Sequence, residues 1–210
     1  MSKFLPQRGF YMVLALAATV GSGWPAQAQA QAGRPDSIQR GYTGADVRFM
    51  TGMIAHHAQA IVMSRWAPTH GASPQVLTLT QRIINSQQDE IRTMQTWLKD
   101  HGQPVPEGSP EAMSAMHGDH GLMPGMLTAE QMRELDAARG PEFDRTFLRL
   151  MIQHHTGALT MVDDLFGSYG AAQEDLVFKI ASEIQSDQTT EIERMRGMLT
   201  AMLVDAWKSQ

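Results

Sequence analysis

Apolar positions recur with a helical period from residue 43 to residue 207. After Thr43 they fall at 47, 50, 53/54, 57/58 and 61, the spacing that keeps one side of a helix apolar. Thr43, with Asp46 three residues on, reads as a capping box, and Pro68 and Gly71 end the helix at about Ala67. Ser73-Pro74 opens a second helix carrying Val76, Leu79, Ile83/Ile84, Gln87, Ile91, Met94 and Leu98, which stops near His101-Gly102. The pattern then fails. Pro104, Pro106, Gly108, Pro110, Gly118, Gly121, Pro124 and Gly125 make residues 102–127 a linker rather than a helix. Thr128-x-x-Gln131 caps a short helix ending at Gly140. Pro141 begins another long helix, ending near Gly167 to Gly170, and the last helix runs from about Ala171 to Trp207. No stretch alternates with a strand's period of two.

The long helices repeat. Phe49, Met53, Ile54, His56, His57, Ala60 and Met63 return as Phe147, Met151, Ile152, His154, His155, Ala158 and Met161, each 98 residues later. Ile83, Gln87, Glu90, Ile91 and Met94 return as Ile184, Gln188, Glu191, Ile192 and Met195, offset by 101. Each repeat is a helical hairpin, about 43–101 and 141–207. Two hairpins bury four apolar faces most economically as an all-α four-helix bundle. The Met/His-rich linker and the short helix, 128–140, join them.

Composition narrows the setting. Lys3 and Arg8, the apolar run Phe10–Val20 and the overlapping Ala-x-Ala sites around Ala26, Ala28 and Ala30 predict a secretory signal peptide over residues 1–30. Residues 31–42 read as a flexible lead-in. Cleavage leaves 15 basic and 22 acidic residues, an acidic balance that argues against nucleic-acid binding. No later run could span a membrane. The absence of cysteine excludes disulfides and thiolate ligands. The expected location is periplasmic or secreted.

The chemistry concentrates in the repeated segments. Adjacent helical residues point about 100° apart, so His56 and His57 cannot both face one centre; one can face the bundle axis while the other turns toward a neighbouring helix or the rim. The same holds for His154 and His155. Met53 and Met151 precede these pairs by one turn, on the same face. Di-iron bundles use Glu-x-x-His; here the matching positions read Met53-x-x-His56 and Met151-x-x-His154. Thioether with imidazole suits Cu(I), and by extension Ag(I), better than iron or manganese. Glu90 and Glu191 are candidate ligands or groups that hold an imidazole tautomer. The bland alternative makes the methionines core filler and the histidines structural, bonded to Glu90, Glu191, Gln87 or Gln188. The linker adds Met113, Met116, His117, His120, Met123 and Met126. Its Pro and Gly content makes core packing a poor account of these methionines, so they read as a mobile capture segment for a soft ion.

The duplicated Met-Ile-x-His-His-x-x-Ala, the Gln-x-x-Glu-Ile-x-x-Met of each second helix, and Phe143-Asp144-Arg145-x-Phe147-Leu148 together resemble domain-of-unknown-function family 305 over about residues 43–204. That resemblance implies a bacterial secreted protein of ferritin-like fold with paired histidines at His56, His57, His154 and His155. It also implies an association of some members with periplasmic copper or silver, and no enzyme class. The expected function is soft-metal binding for copper buffering, scavenging or tolerance, with a metal ion and another periplasmic metal-handling protein as partners. Two alternatives stand beside it: a ferritin-like iron or manganese enzyme, and a metal-free helical module whose histidines are core hydrogen-bonders.

Overall fold

The computed structural model describes residues 41–106 and 122–208. The leader, most of the lead-in, and Met113, Met116, His117 and His120 lie outside the described residues. Within them the chain forms five helices and no strand: α1 (Gly44–Arg65), α2 (Pro74–Asp100), α3 (Ala129–Ala137), α4 (Pro141–Gly167) and α5 (Asp175–Lys208). No described helix is long and apolar enough to cross a membrane.

The helix starts follow local chemistry. The Thr43 hydroxyl accepts from the Ala45 and Asp46 amides, and Asp46 accepts from the Thr43 amide at 2.6 Å, completing a capping box. Thr128 and Gln131 do the same for α3. Ser73 caps α2, and Pro74 occupies its first turn, where a missing N–H costs nothing. Two boundaries differ from the sequence reading. Helix α3 ends at Ala137, because Ala138 is extended and Gly140, at φ 56°, donates its N–H to the His70 carbonyl. Helix α5 begins at Asp175 rather than Ala171. Gly170 (φ 73°) and Ala172 (φ 53°) both take left-handed backbone, so residues 168–174 are spent on the turn.

α1 packs on α2 and α4 on α5 to form the two hairpins, which meet along α1 and α4. The apolar core divides into two clusters along the bundle. One gathers Phe49, Met50, Met53 and Ile54 of α1 with Ile91, Met94 and Trp97 of α2, Val162 and Leu165 of α4, and Val177, Ile180 and Ile184 of α5. The other gathers Met63, Val76, Leu79, Ile83, Phe143, Phe147, Met151, Ile192 and Met195. The early part of α1 thus shares a cluster with the late part of α4, so the two helices run antiparallel. The repeats are related end to end.

Helix-end aromatics close the core unevenly. Trp97 is buried and donates its indole N–H to Glu174 at 3.0 Å. Trp66 stacks on His70. Trp207 is 76% exposed. The last turns of α5 have no partner helix among the described residues to cover it.

Candidate metal centre

The four paired histidines fall between the two apolar clusters. His56 and His57 follow Ile54 of one cluster and precede Ala60 and Met63 of the other; His154 and His155 lie likewise between Met151 and Ala158. Gln87 and Gln188 occupy the matching heights of α2 and α5. All six are buried, the histidines with no exposed surface at all. The middle of the bundle is therefore a polar layer between two apolar halves.

Each histidine has its own direction, as the 100° turn per residue requires. His56 faces His154, with ring centroids 3.8 Å apart, across the α1–α4 seam. His57 turns to α2, its Nε2–H donating to Glu90 Oε2 at 2.5 Å. His155 turns to α5 and donates from Nε2 to Glu191 Oε2 at 2.6 Å. His56 Nε2–H donates to the Pro124 carbonyl at 3.0 Å. A backbone carbonyl can only accept, so the His56 Nε2 carries the proton and, in the neutral ring, its Nδ1 carries the free lone pair. Burial, reinforced by the neighbouring His57 ring, pushes the pKa of His56 down to about 3; the Pro124 carbonyl opposes that shift. Burial, with His56 close by, also holds His154 well below the ordinary imidazole value. Both rings are neutral, which is the ligand form.

The layer is under-satisfied. Nδ1 of His56, His57 and His155, both ring nitrogens of His154, both amide atoms of Gln87 and the Gln188 oxygen have no hydrogen-bond partner among the described residues. Each such atom costs about 1–3 kcal/mol. Two facing imidazoles with free nitrogens, His56 and His154, are a donor pair that fits a soft cation of low coordination number. Its form is unusual. Among the described residues, no three His, Asp or Glu side chains are gathered closely enough to hold a metal ion; the close approach in the layer is the single pair His56–His154, and Glu90 and Glu191 are each engaged with a histidine. Met53 and Met151 are fully buried on opposite sides of the layer, Met53 in one apolar cluster and Met151 in the other.

One contributor was invisible in the motif. The linker's last residues, 122–127, lie against the bundle as a strap. Gln59 grips it by donating to the Leu127 carbonyl at 3.1 Å and accepting from the Leu127 amide at 2.7 Å. Gly157 lets it approach, because a Cβ there would stand 2.0 Å from the Pro124 oxygen. Gln59 and Gly157 are 98 residues apart, the same position in the two repeats. The strap passes between them once, which is why His56 has a strap carbonyl as partner and His154 has none from the strap. The glycine inside an otherwise strong helix was the available signal. Met126 corrects the picture of an unpacked capture segment: it is 4% exposed, in a small cluster with Ala55 and Ala58, and Met123 is half-buried beside it.

Comparison with known proteins places this arrangement. The family model described as "Domain of unknown function (DUF305)" matches residues 46–199. The chain belongs to the DUF305 family. Solved DUF305 structures share the fold. A fragment from Deinococcus radiodurans is 30% identical, with a TM-score of 0.63 over 76% of this chain and 98% of that one. A protein from Streptomyces coelicolor, described as secreted, is 26% identical, with a TM-score of 0.64 over 75% and 93%. CopM in its Cu(II)-bound form is 31% identical, with a TM-score of 0.60 over 74% and 96%; CopM is also known with Cu(I) and with silver bound, at 26% identity in each case. The uncharacterised protein L153 of Acanthamoeba polyphaga mimivirus is 42% identical over 53 residues, about a third (35%) of its length. In this DUF305 chain the matched region takes in α2 and α4 entire, most of α1 and α5, and the whole polar layer.

Proposed function

We propose that this chain is an exported soft-metal-binding protein that holds copper, with Cu(I) favoured and silver accepted, in the polar layer at the bundle centre. The observation that carries the reading is the pair of buried, neutral imidazoles, His56 and His154, that face each other with free ring nitrogens across the α1–α4 seam. CopM, a structural relative, has been seen with Cu(II), Cu(I) and silver, which supports the choice of metal. His56 and His154 are the central ligands, with Met53 and Met151 as thioether donors from either side. His57 and His155 stand beside them, and Glu90 and Glu191 orient these two rings by holding Nε2–H. Binding buffers or scavenges the ion; no step of covalent chemistry is required of the protein. The predicted leader and the acidic, cysteine-free composition suit an oxidising exported compartment.

The test is Cu(I) titration against a competing chelator, with the wild type and a His56→Gln/His154→Gln variant. The expected result is a loss of affinity of at least about 100-fold, the upper end of what a misplaced ligand shell costs. Unchanged affinity in a folded variant would overturn the assignment. Nitrogen-detected NMR on the silver complex should show the metal at Nδ1 of His56, because its Nε2 proton is committed.

A further inference from the structure

A second feature rich in sulfur lies one helical turn from the histidine layer, and the repeat makes it conspicuous. Gly52 sits four residues before His56. A Cβ at Gly52 would stand 3.1 Å from the Met123 sulfur and 3.3 Å from the Met161 terminal methyl. Both thioethers therefore converge over bare α1 backbone. The place is an open cleft of about 270 Å³ between α1 and α4, bordered by Phe49, Leu165, Asp164 and Ser168. The equivalent positions of the other hairpin are filled instead: Leu150 stands for Gly52 and Met63 for Met161, and both are fully buried. Met161 is half-exposed. Met161 packs against the edge of one apolar cluster and also lines the cleft, whereas its repeat partner Met63 is wholly enclosed.

We infer that Met123 and Met161, over Gly52, form a surface site for a soft monovalent cation of the Cu(I) or Ag(I) class, distinct from the buried histidine layer. Two thioethers are neutral soft donors. Asp164 supplies negative charge at the rim, while Arg48, the other charged residue of the cleft, directs its guanidinium back to Gly44, where a Cβ would meet Nη1 at 3.3 Å. The site also touches the strap. Met123 precedes Pro124, whose carbonyl holds His56, so an ion seated on Met123 lies at the edge of the segment that covers the buried centre. That position suits a loading site. The inference deepens the soft-metal reading and depends on it only for the choice of ion.

The experiment is titration of the full chain with Ag(I), which is diamagnetic, followed through 13C-labelled methionine methyls and histidine ring signals together. The expected result is that the Met123 and Met161 methyls shift on binding, and continue to do so in His56→Gln/His154→Gln. Met123→Leu/Met161→Leu, which conserves volume, should lose one bound ion while the histidine signals still respond. Gly52→Ala should weaken the cleft site by about tenfold or more by pushing the Met123 sulfur aside. Methyl shifts that vanish in the histidine variant would make the methionines mere neighbours of the buried centre and overturn the inference. So would an unchanged number of bound ions in the double-leucine variant. Histidine signals that fail to move while the methionines do would instead count against the buried centre and leave the cleft standing.

Discussion

His56 behaves as a neutral group because it has been taken out of water, and that has a consequence for pH. In the unfolded chain it takes up a proton near 6.5; in the fold it does so only near 3. Between those values the unfolded state binds more protons. Its contribution is therefore complete above about pH 6.5 and is lost as pH falls toward 3, on the order of 3 kcal/mol by pH 4. His154 shifts the same way and steepens the loss. Urea midpoints of the metal-free protein should fall from pH 7 to pH 4, and the fall should flatten in His56→Gln. Glycines give a second contrast at this scale. Gly157→Ala would gain helix propensity of about 1 kcal/mol. It would also drive a Cβ into the Pro124 carbonyl and the Gly125 backbone, so a net loss of roughly 1–2 kcal/mol is expected. Gly197, in the exposed part of α5, meets nothing within 4 Å, and Gly197→Ala should stabilise by about 0.5–1 kcal/mol. Thermal melts of the two variants should move in opposite directions.

The helices are tied at their ends by a reciprocal clasp that the motif search passed over. Asp46, near the start of α1, accepts the Ala172 amide at 2.7 Å, from the turn between α4 and α5. Asp144, 98 residues later near the start of α4, accepts the Ser73 amide with both oxygens at 3.2 Å, from the turn between α1 and α2. Each hairpin thus holds the other's turn, and both carboxylates are buried. Asp46→Ala leaves a buried amide unpaired and removes half of a capping box, so a loss of about 2–3 kcal/mol is expected. Asp144→Ala should cost about 1–3 kcal/mol for the Ser73 amide alone. Because the clasps sit at opposite ends of an antiparallel α1–α4 pair, the losses should add within about 0.5 kcal/mol. Denaturant unfolding of the single and double variants measures this. Asp144 was legible only as part of the family-like Phe-Asp-Arg motif. Its backbone partner, 71 residues upstream, leaves no trace in a pattern of side chains.

At the scale of the whole molecule, the bundle is a stack: apolar, polar, apolar. A stack of this kind is expensive when its middle is unfilled and gains most when a ligand fills it. A soft ion that binds only the folded state should raise stability by about 4 kcal/mol when free ion is 1,000 times its dissociation constant. Calorimetry with Ag(I) should therefore show a large upward shift in Tm that is strongly reduced in His56→Gln/His154→Gln. An equal shift in both proteins would place the stabilising ion elsewhere.

What the sequence determined by itself was whatever depends on near neighbours and on repetition. Helical periods, Thr43, Ser73 and Thr128 as caps, and the 98-residue echo of the histidine pair are local or self-similar, so hairpins and an all-α bundle follow from them. The divergence of His56 from His57 also follows, from helix geometry alone. Only the tertiary structure decided which histidine of each pair faces its counterpart, because that depends on the rotation of each helix about its axis, set by packing across two hairpins. Only the fold could show that one strap breaks the two-fold relation, giving His56 a carbonyl from the strap that His154 lacks. The same holds for Met161, whose twin Met63 is core while it lines a cleft, because the side chain that would have covered it is missing at Gly52. Burial is a property of what lies opposite, and what lies opposite is about a hundred residues away in the chain.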